Sequence, residues 1–252
     1  MQIANTAAVV TGAASGLGHA TATALAAGGA RVFGFDLETA VEKAPAVEGV
    51  TYLAVDVTDP DSVEAAVAVA ASSGPPLRSV VNCAGIGVAA RILGKRGRHD
   101  IALYAKVIQV NLVGTFTVLT YAAERIAQTE ADADGQRGVI VNTASVAAFE
   151  GQVGQAAYSS SKGGVAGLCL PAARDLAQYG IRVNTIAPGT IETPMLAGVT
   201  EEYLAGLAEA VPFPKRLGRP DEYARLALML IDHDYINGET VRMDGAIRMP
   251  PR

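Results

Sequence analysis

The chain has 252 residues, half of them hydrophobic, no tryptophan, and a formal net charge of −5 with a pI near 5.3. That length can bury a large core, and the acidic balance argues against a general nucleic-acid surface. Two cysteines, Cys83 and Cys169, have no metal or redox spacing, and three scattered histidines form no ligand cluster, so no metal is expected.

In chain order, Ala7 to Thr11 reads as a short buried strand, followed by an Ala-rich helix over 16–27. Arg31 to Asp36 and Thr51 to Val55 are the next strands, and the helix over 59–71 is capped by Asp59 or Asp61. Arg78 to Asn82 is a fourth strand. A helix then covers Ile101 to Val113, or extends as far as Ala127. A fifth strand spans 139–143, and the helix carrying Tyr158 runs to about Tyr179, with Gly180 where a C-terminal cap belongs. Ile181 to Ile186, a helix from Pro220 to Leu230, and Thr240 to Met243 complete the series.

Strand and helix alternate, and the strands are continuous apolar runs. This predicts an α/β fold: one doubly wound parallel sheet of about seven strands, covered by helices on both faces. No linker, repeat or low-complexity tract divides it, so residues 1–252 form a single domain. No apolar run is expected to approach the length of a membrane span. The first strand begins near Thr6, too early for a signal or transit peptide, so a reducing, cytoplasmic setting without a membrane partner is the expectation.

Between the first strand and first helix lies Thr11-Gly12-Ala13-Ala14-Ser15-Gly16-Leu17-Gly18. Glycines there let backbone approach a pyrophosphate, and the helix N-terminus supplies free N–H groups. The spacing is G-x3-G-x-G, not the commoner G-x-G-x-x-G. Asp36 ends the second strand, where a carboxylate accepts from both hydroxyls of an adenosine ribose and repels a 2′-phosphate. No Arg or Lys occupies 13–17 or follows Asp36 directly, which favours NAD over NADP. Asp56 and Val57 could bracket the adenine, and Cys83, Ala84 and Gly85 would again bring backbone to the cofactor.

Ser145 follows the fifth strand and would lie at its carboxyl end, beside Tyr158. Tyr158 and Lys162 sit four residues apart on a helix, about 6 Å along its axis. An ammonium so close to a phenol favours the phenolate, hence a general base. A surface Tyr and a surface Lys account for that pair alone equally well.

Taken together, TGAASGLG, Asp36, NCAG at 82–85, Asn111, Ser145, Tyr158-x3-Lys162 and Pro188-Gly189 resemble the short-chain dehydrogenase/reductase family over the whole chain. GQRGVIVNTASVAAFEGQVGQAAYSSSKGG, VPFPKRLG and NGETVRMDGAIRMPP resemble its type-2 3-hydroxyacyl-CoA dehydrogenases, also described as mitochondrial-type 17-beta-hydroxysteroid dehydrogenases. The resemblance implies Tyr158 as base, Lys162 lowering its pKa and holding the nicotinamide ribose, and Ser145 orienting the substrate oxygen. It also implies that Asn111 places a water towards Lys162, and that the chain forms a homotetramer. Pro188, Thr190, Ile191 and Thr193 would meet the nicotinamide end.

The implied reaction is NAD-dependent oxidation of a secondary alcohol, a 3-hydroxyacyl-CoA above all. A hydroxysteroid or other lipid alcohol is the alternative substrate, and an NAD-binding scaffold with little turnover is the alternative of another class. Residues 188–216 carry Met195, Leu196, Tyr203, Leu204, Leu207 and Val211; a lid over an acyl chain and plain helix packing both fit them. Arg91, Lys95, Arg96 and Arg98 put four cations between the fourth strand and the next helix. They would meet the phosphates of a CoA thioester, or form a solvated loop with no ligand.

Overall fold

The computed structural model describes residues 1–95, 97–196 and 200–251. Seven strands form one parallel sheet: β1 (Ala7–Thr11), β2 (Arg31–Asp36), β3 (Val50–Ala54), β4 (Leu77–Asn82), β7 (Gly138–Thr143), β8 (Ile181–Pro188) and β9 (Thr240–Met243). Their order across the sheet is β3-β2-β1-β4-β7-β8-β9. Two-residue strands β5 (Leu93–Gly94) and β6 (Gly97–Arg98) pair as an antiparallel hairpin in the basic connection. The helices are α1 (Gly16–Ala27), α2 (Glu38–Val41), α3 (Pro60–Ala71), α4 (Ile101–Ile108), α5 (Gly114–Ala127), α6 (Ala156–Leu176), α7 (Glu201–Glu209) and α8 (Pro220–Asp232).

Successive strand residues point to opposite faces, so each central strand feeds two cores. Ala7 and Val9 of β1 pack with Val63 of α3, Val118 and Ile126 of α5, and Ala172 of α6. Ala8 and Val10 face the other way, onto Ala22 and Leu25 of α1 and Tyr223, Ala227 and Leu230 of α8. This two-sided burial is why the strands read as unbroken apolar runs.

Several boundaries follow from capping. Asp59 accepts from the Asp61 backbone N–H at 3.1 Å and starts α3, with Pro60 in the first turn. After α6, a 3₁₀ turn over Ala177–Tyr179 ends at Gly180, whose φ of +68° is left-handed. The third strand starts one residue earlier than predicted, at Val50, in register with Val32 of β2. In the 188–216 segment the helical parts described are a 3₁₀ turn at Pro194–Leu196 and helix α7; residues 197–199 lie outside the described residues.

One expectation is corrected. Ile101–Ala127 forms a continuous helical stretch of 27 residues, apolar and long enough by composition and length to cross a membrane. The longer of the two predicted extents, to Ala127, is the one observed; Lys106, Gln109 and Asn111 break the linear run of apolar letters but not the helix, so its apolar character over that length was not expected. A π-turn over Gln109–Val113 joins α4 to α5. The inner face, with Val107, Val118, Leu119, Ala122, Ala123 and Ile126, is buried, while Ile101, Tyr104, Val113 and Phe116 face outward.

Candidate active site

In a sheet of this order the strand sequence reverses between β1 and β4, and the crevice at their carboxyl ends is where such folds bind ligands. The crevice is closed at its floor by Thr11, whose Oγ1 accepts from the backbone N–H groups of Cys83 and Ala84, both at 3.0 Å. Gly12 holds φ at +65°, and a Cβ there would lie 3.0 Å from the Ala84 backbone. At Gly18 a Cβ would lie 2.1 Å from the Gly12 carbonyl oxygen. The first turn of α1 can therefore close onto the loop only because both residues are glycine, leaving a backbone cradle that fits a pyrophosphate. Asp36 is fixed at the cradle's edge. Its Oδ2 accepts from the Ala14 N–H at 2.9 Å and its Oδ1 from the Leu37 N–H at 2.9 Å.

A single cleft of about 1010 Å³ is lined by every predicted cofactor residue, from Gly12, Ser15, Gly16, Leu17 and Gly18 through Asp36, Asp56, Val57, Cys83, Ala84 and Gly85 to Pro188, Ile191 and Thr193. Ser145, Tyr158 and Lys162 line it too. Asn111 does not; it stands behind the wall. Its Oδ1 accepts from the Ile86 N–H at 2.8 Å, and its Nδ2 donates to the Ile86 carbonyl at 2.9 Å and to Ser161 Oγ at 3.0 Å. Ser161 Oγ in turn donates to the Tyr158 carbonyl at 2.7 Å. The π-turn that carries Asn111 thus ties the β4 exit to the helix that carries Tyr158, the kind of place such turns occur.

Ser145 begins the 3₁₀ turn Val146–Ala148 and accepts from the Ala147 N–H at 3.1 Å. Burial pushes the Tyr158 phenol above its ordinary value, and the neighbouring Ser145 hydroxyl offsets part of that rise. Lys162, almost wholly buried, is lowered to about 8, chiefly by desolvation. Its Nζ donates to the Thr143 carbonyl at 2.7 Å and lies 5.9 Å from the centre of the Tyr158 ring. The helical spacing puts both side chains on one face as predicted, but the lowering of the Tyr158 pKa expected from Lys162 is absent here. Burial of the phenol outweighs it, and the ammonium is held on the carbonyl at the end of β7.

Sequence reasoning missed several parts of this site. Thr143 supplies the carbonyl that holds Lys162, and its Oγ1 donates to the Asn82 carbonyl at 2.5 Å and pairs with the Tyr223 hydroxyl at 2.6 Å. Tyr223 reaches it from α8, fully buried on the opposite face of the sheet. Lys106, Gln109, Gln155 and Met249 also line the cleft. Lys106 and Gln109 lie outside the stretches that carry the resemblance; Gln155 and Met249 lie inside two of them, but nothing in those stretches marked either as a cleft residue. Among the described residues, no three His, Cys, Asp or Glu side chains converge to hold a metal.

A family profile described as Enoyl-(Acyl carrier protein) reductase matches residues 12–247. The chain belongs to the short-chain dehydrogenase/reductase family. Membership makes it an oxidoreductase and implies a nicotinamide cofactor. It is 50% identical to the human protein named 3-hydroxyacyl-CoA dehydrogenase type-2, over 97% of this chain and 95% of that one. The Drosophila melanogaster protein of the same name is 48% identical, over 99% of this chain and 100% of its own length. A crystal structure titled 3-hydroxyacyl-CoA dehydrogenase type-2 from Mycobacterium avium superposes with a TM-score of 0.91, at 44% identity over 98% of both chains.

The cradle of this short-chain dehydrogenase gives a direct test. Gly18→Ala places a methyl group against the Gly12 carbonyl, so the loop must open. Calorimetric titration should show dinucleotide affinity falling at least about tenfold, equivalent to 1.4 kcal/mol, with helical content by circular dichroism retained. Unchanged affinity would show that the loop does not carry the cofactor.

Proposed function

We propose that this chain is an NAD-dependent 3-hydroxyacyl-CoA dehydrogenase, oxidising the 3-hydroxyl to a ketone. The observation that carries the reading is that Ser145, Tyr158 and Lys162 line the same cleft as the glycine cradle and Asp36. The human and fly relatives support the substrate class. Two free cysteines, Cys83 and Cys169, are in keeping with a reducing compartment such as the cytoplasm.

Bound NAD supplies the acceptor for the hydride from the carbinol carbon. Everything else falls to the chain. Ser145 donates to the substrate oxygen and holds it against Tyr158. Tyr158 removes the hydroxyl proton in oxidation and returns it in reduction. Lys162, swinging from the Thr143 carbonyl, brings its positive charge to the phenol, and Asn111 fixes the backbone around which a water would reach Lys162. Asp36 accepts from the adenosine ribose and excludes a 2′-phosphate by charge repulsion.

The substrate end of the cleft supports a thioester. Ala89 lines it, and the chain beyond runs straight into the β5–β6 hairpin, where Arg91, Lys95 and Arg98 are exposed. Arg96 lies outside the described residues. These cations would meet CoA phosphates by forked or point-charge contacts. NADH formation from 3-hydroxyacyl-CoAs beside hydroxysteroids tests the reading. Acyl-CoAs should be turned over with the higher kcat/KM, and their KM alone should climb with salt as exposed charge pairs are screened. Steroid turnover without acyl-CoA turnover overturns it.

The subunits are proposed to form a homotetramer through the outward face of α4 and α5. Ile101, Tyr104, Val113 and Phe116 make an apolar stripe there, and a twofold contact would set it against itself. Phe116→Asp should shift the sedimentation coefficient to that of a smaller species. A wild type that sediments as a monomer contradicts the assembly.

Two variants test the chemistry. Tyr158→Phe should lower hydride transfer by roughly 10²–10⁴-fold with dinucleotide affinity nearly unchanged. Because burial raises the phenol, wild-type oxidation should gain rate as pH rises through the alkaline range, while the reverse reduction loses it. The Phe variant should lose both dependences. Near-native turnover by it would remove Tyr158 from the mechanism. Asp36→Ala should raise KM for NAD and narrow the gap to NADP, read as kcat/KM for both cofactors. A wild-type preference for NADP refutes the assignment.

A further inference from the structure

After β9 the chain doubles back across the mouth of the cleft. Gly245 and Ala246 take left-handed φ values of +60° and +67°, Ile247 N–H donates to the Asp244 carbonyl at 3.1 Å, and the Ile247 side chain is buried. The tail from Arg248 onward is pinned to residues 149–153, the link between the Ser145 turn and the Tyr158 helix. Glu150 is the centre of the pin. Its carboxylate takes both terminal nitrogens of Arg242 at 2.9 and 3.2 Å, Arg248 Nε at 3.3 Å, and the Met249 backbone N–H at 3.2 Å. Asp244 bonds the same two arginines, at 2.8 and 3.2 Å. Beyond Met249, Gln152 Nε2 donates to the Pro250 carbonyl and Val153 N–H to the Pro251 carbonyl, each at 3.0 Å.

The consequence is that Met249 becomes part of the cleft wall, together with Gln155 and with Met195 and Leu196 of the turn at Pro194–Leu196. An exposed tail has no need of a carboxylate bridging two arginines and its own backbone. A specificity wall does, because a wall that moves selects nothing. Methionine suits such a wall: unbranched and polarisable, it moulds to apolar groups of different length.

We propose that Met249 is a specificity-determining residue, bounding the space for the alkyl group carried on the carbinol carbon, and that Glu150 is the positioning residue that fixes it there. This rests on the dehydrogenase reading but adds a residue and a site boundary to it. Deleting side-chain volume at 249 opens the space to longer alkyl groups; adding volume closes it. A methylene more or less in an apolar pocket is worth roughly 10–200-fold in discrimination, so a side chain of this size has ample leverage.

The experiment measures kcat/KM for straight-chain 3-hydroxyacyl-CoAs from four to sixteen carbons, beside two hydroxysteroids, in wild type and four variants. Met249→Ala should raise the long-to-short ratio at least about tenfold, and Met249→Phe should lower it by a similar factor. Glu150→Gln removes the shared charge and should move the ratio in the direction of Met249→Ala, with NAD affinity unchanged. Met249→Leu, close in volume, should restore the wild-type order, which separates a wall from a folding defect. A uniform change across all lengths, or none, in both Met249→Ala and Met249→Phe overturns the proposal. Wild type alone decides the substrate class: if it oxidises only the steroids, the acyl-CoA reading fails. The wall is then judged from the ratio of the two steroids in the same variants.

Discussion

The site depends on how closely two parallel strands are held at the point where the sheet changes direction. Thr11 Oγ1 accepts from both Cys83 and Ala84, and Gly12 faces the Ala84 backbone with no room for a side chain. Any wider gap would separate the cradle at the start of α1 from the β4 exit. The rest of the cleft is referred to this junction. Asn111 fastens the next residues of the β4 exit to α6, and Thr143 at the end of β7 joins Asn82, Tyr223 and Lys162 in one buried set of contacts. Backbone ladders align the strands; a few buried hydroxyls and one amide align the chemistry.

That burial has an electrostatic cost, and it acts on Tyr158 and Lys162 in opposite directions. Desolvation disfavours the charged form of each, raising the phenol and lowering the ammonium. With a pKa of about 8, Lys162 still carries its proton at neutral pH. Its charge is directed at the Thr143 carbonyl, however, and the phenol gains its local help from Ser145 instead. The helix fixes both backbones, so bringing the charge to the phenol asks only for a side-chain rotation.

Much of this was legible in the sequence. Strands buried on both faces are mostly apolar, so they stand out as runs even where β8 buries Arg182, Asn184 and Thr185. A loop that turns onto a phosphate must carry glycine at fixed intervals, and a helix places Tyr158 beside Lys162 by its period alone. What was illegible comes from contacts between distant segments. Nothing near Tyr223 in the chain marks it as the partner of Thr143, and nothing near Met249 marks it as lining the same cleft as Ser145. The rotamer of Lys162 is set by a carbonyl on another element, which no spacing rule reports. The apolar character of the whole helix Ile101–Ala127, whose longer extent the sequence did offer, was hidden for a related reason. Its polar residues interrupt the letters but not the hydrogen-bonded spiral.

The two halves of the cleft are therefore held by different kinds of force. The cofactor half is set largely by backbone, through glycine φ angles and strand register, with the Thr11 hydroxyl joining β1 to the β4 exit. The substrate half is set by side chains on connections, from Ile86–Ala89, from the turn at Pro194–Leu196, and from a tail fastened by partly exposed ion pairs. Pairs of that kind contribute little to global stability, and connections of that kind tolerate change. Sequence change can accordingly reshape what this enzyme oxidises without disturbing how it holds the dinucleotide. That division explains why the cofactor could be argued from a few residues, whereas the substrate required the whole molecule.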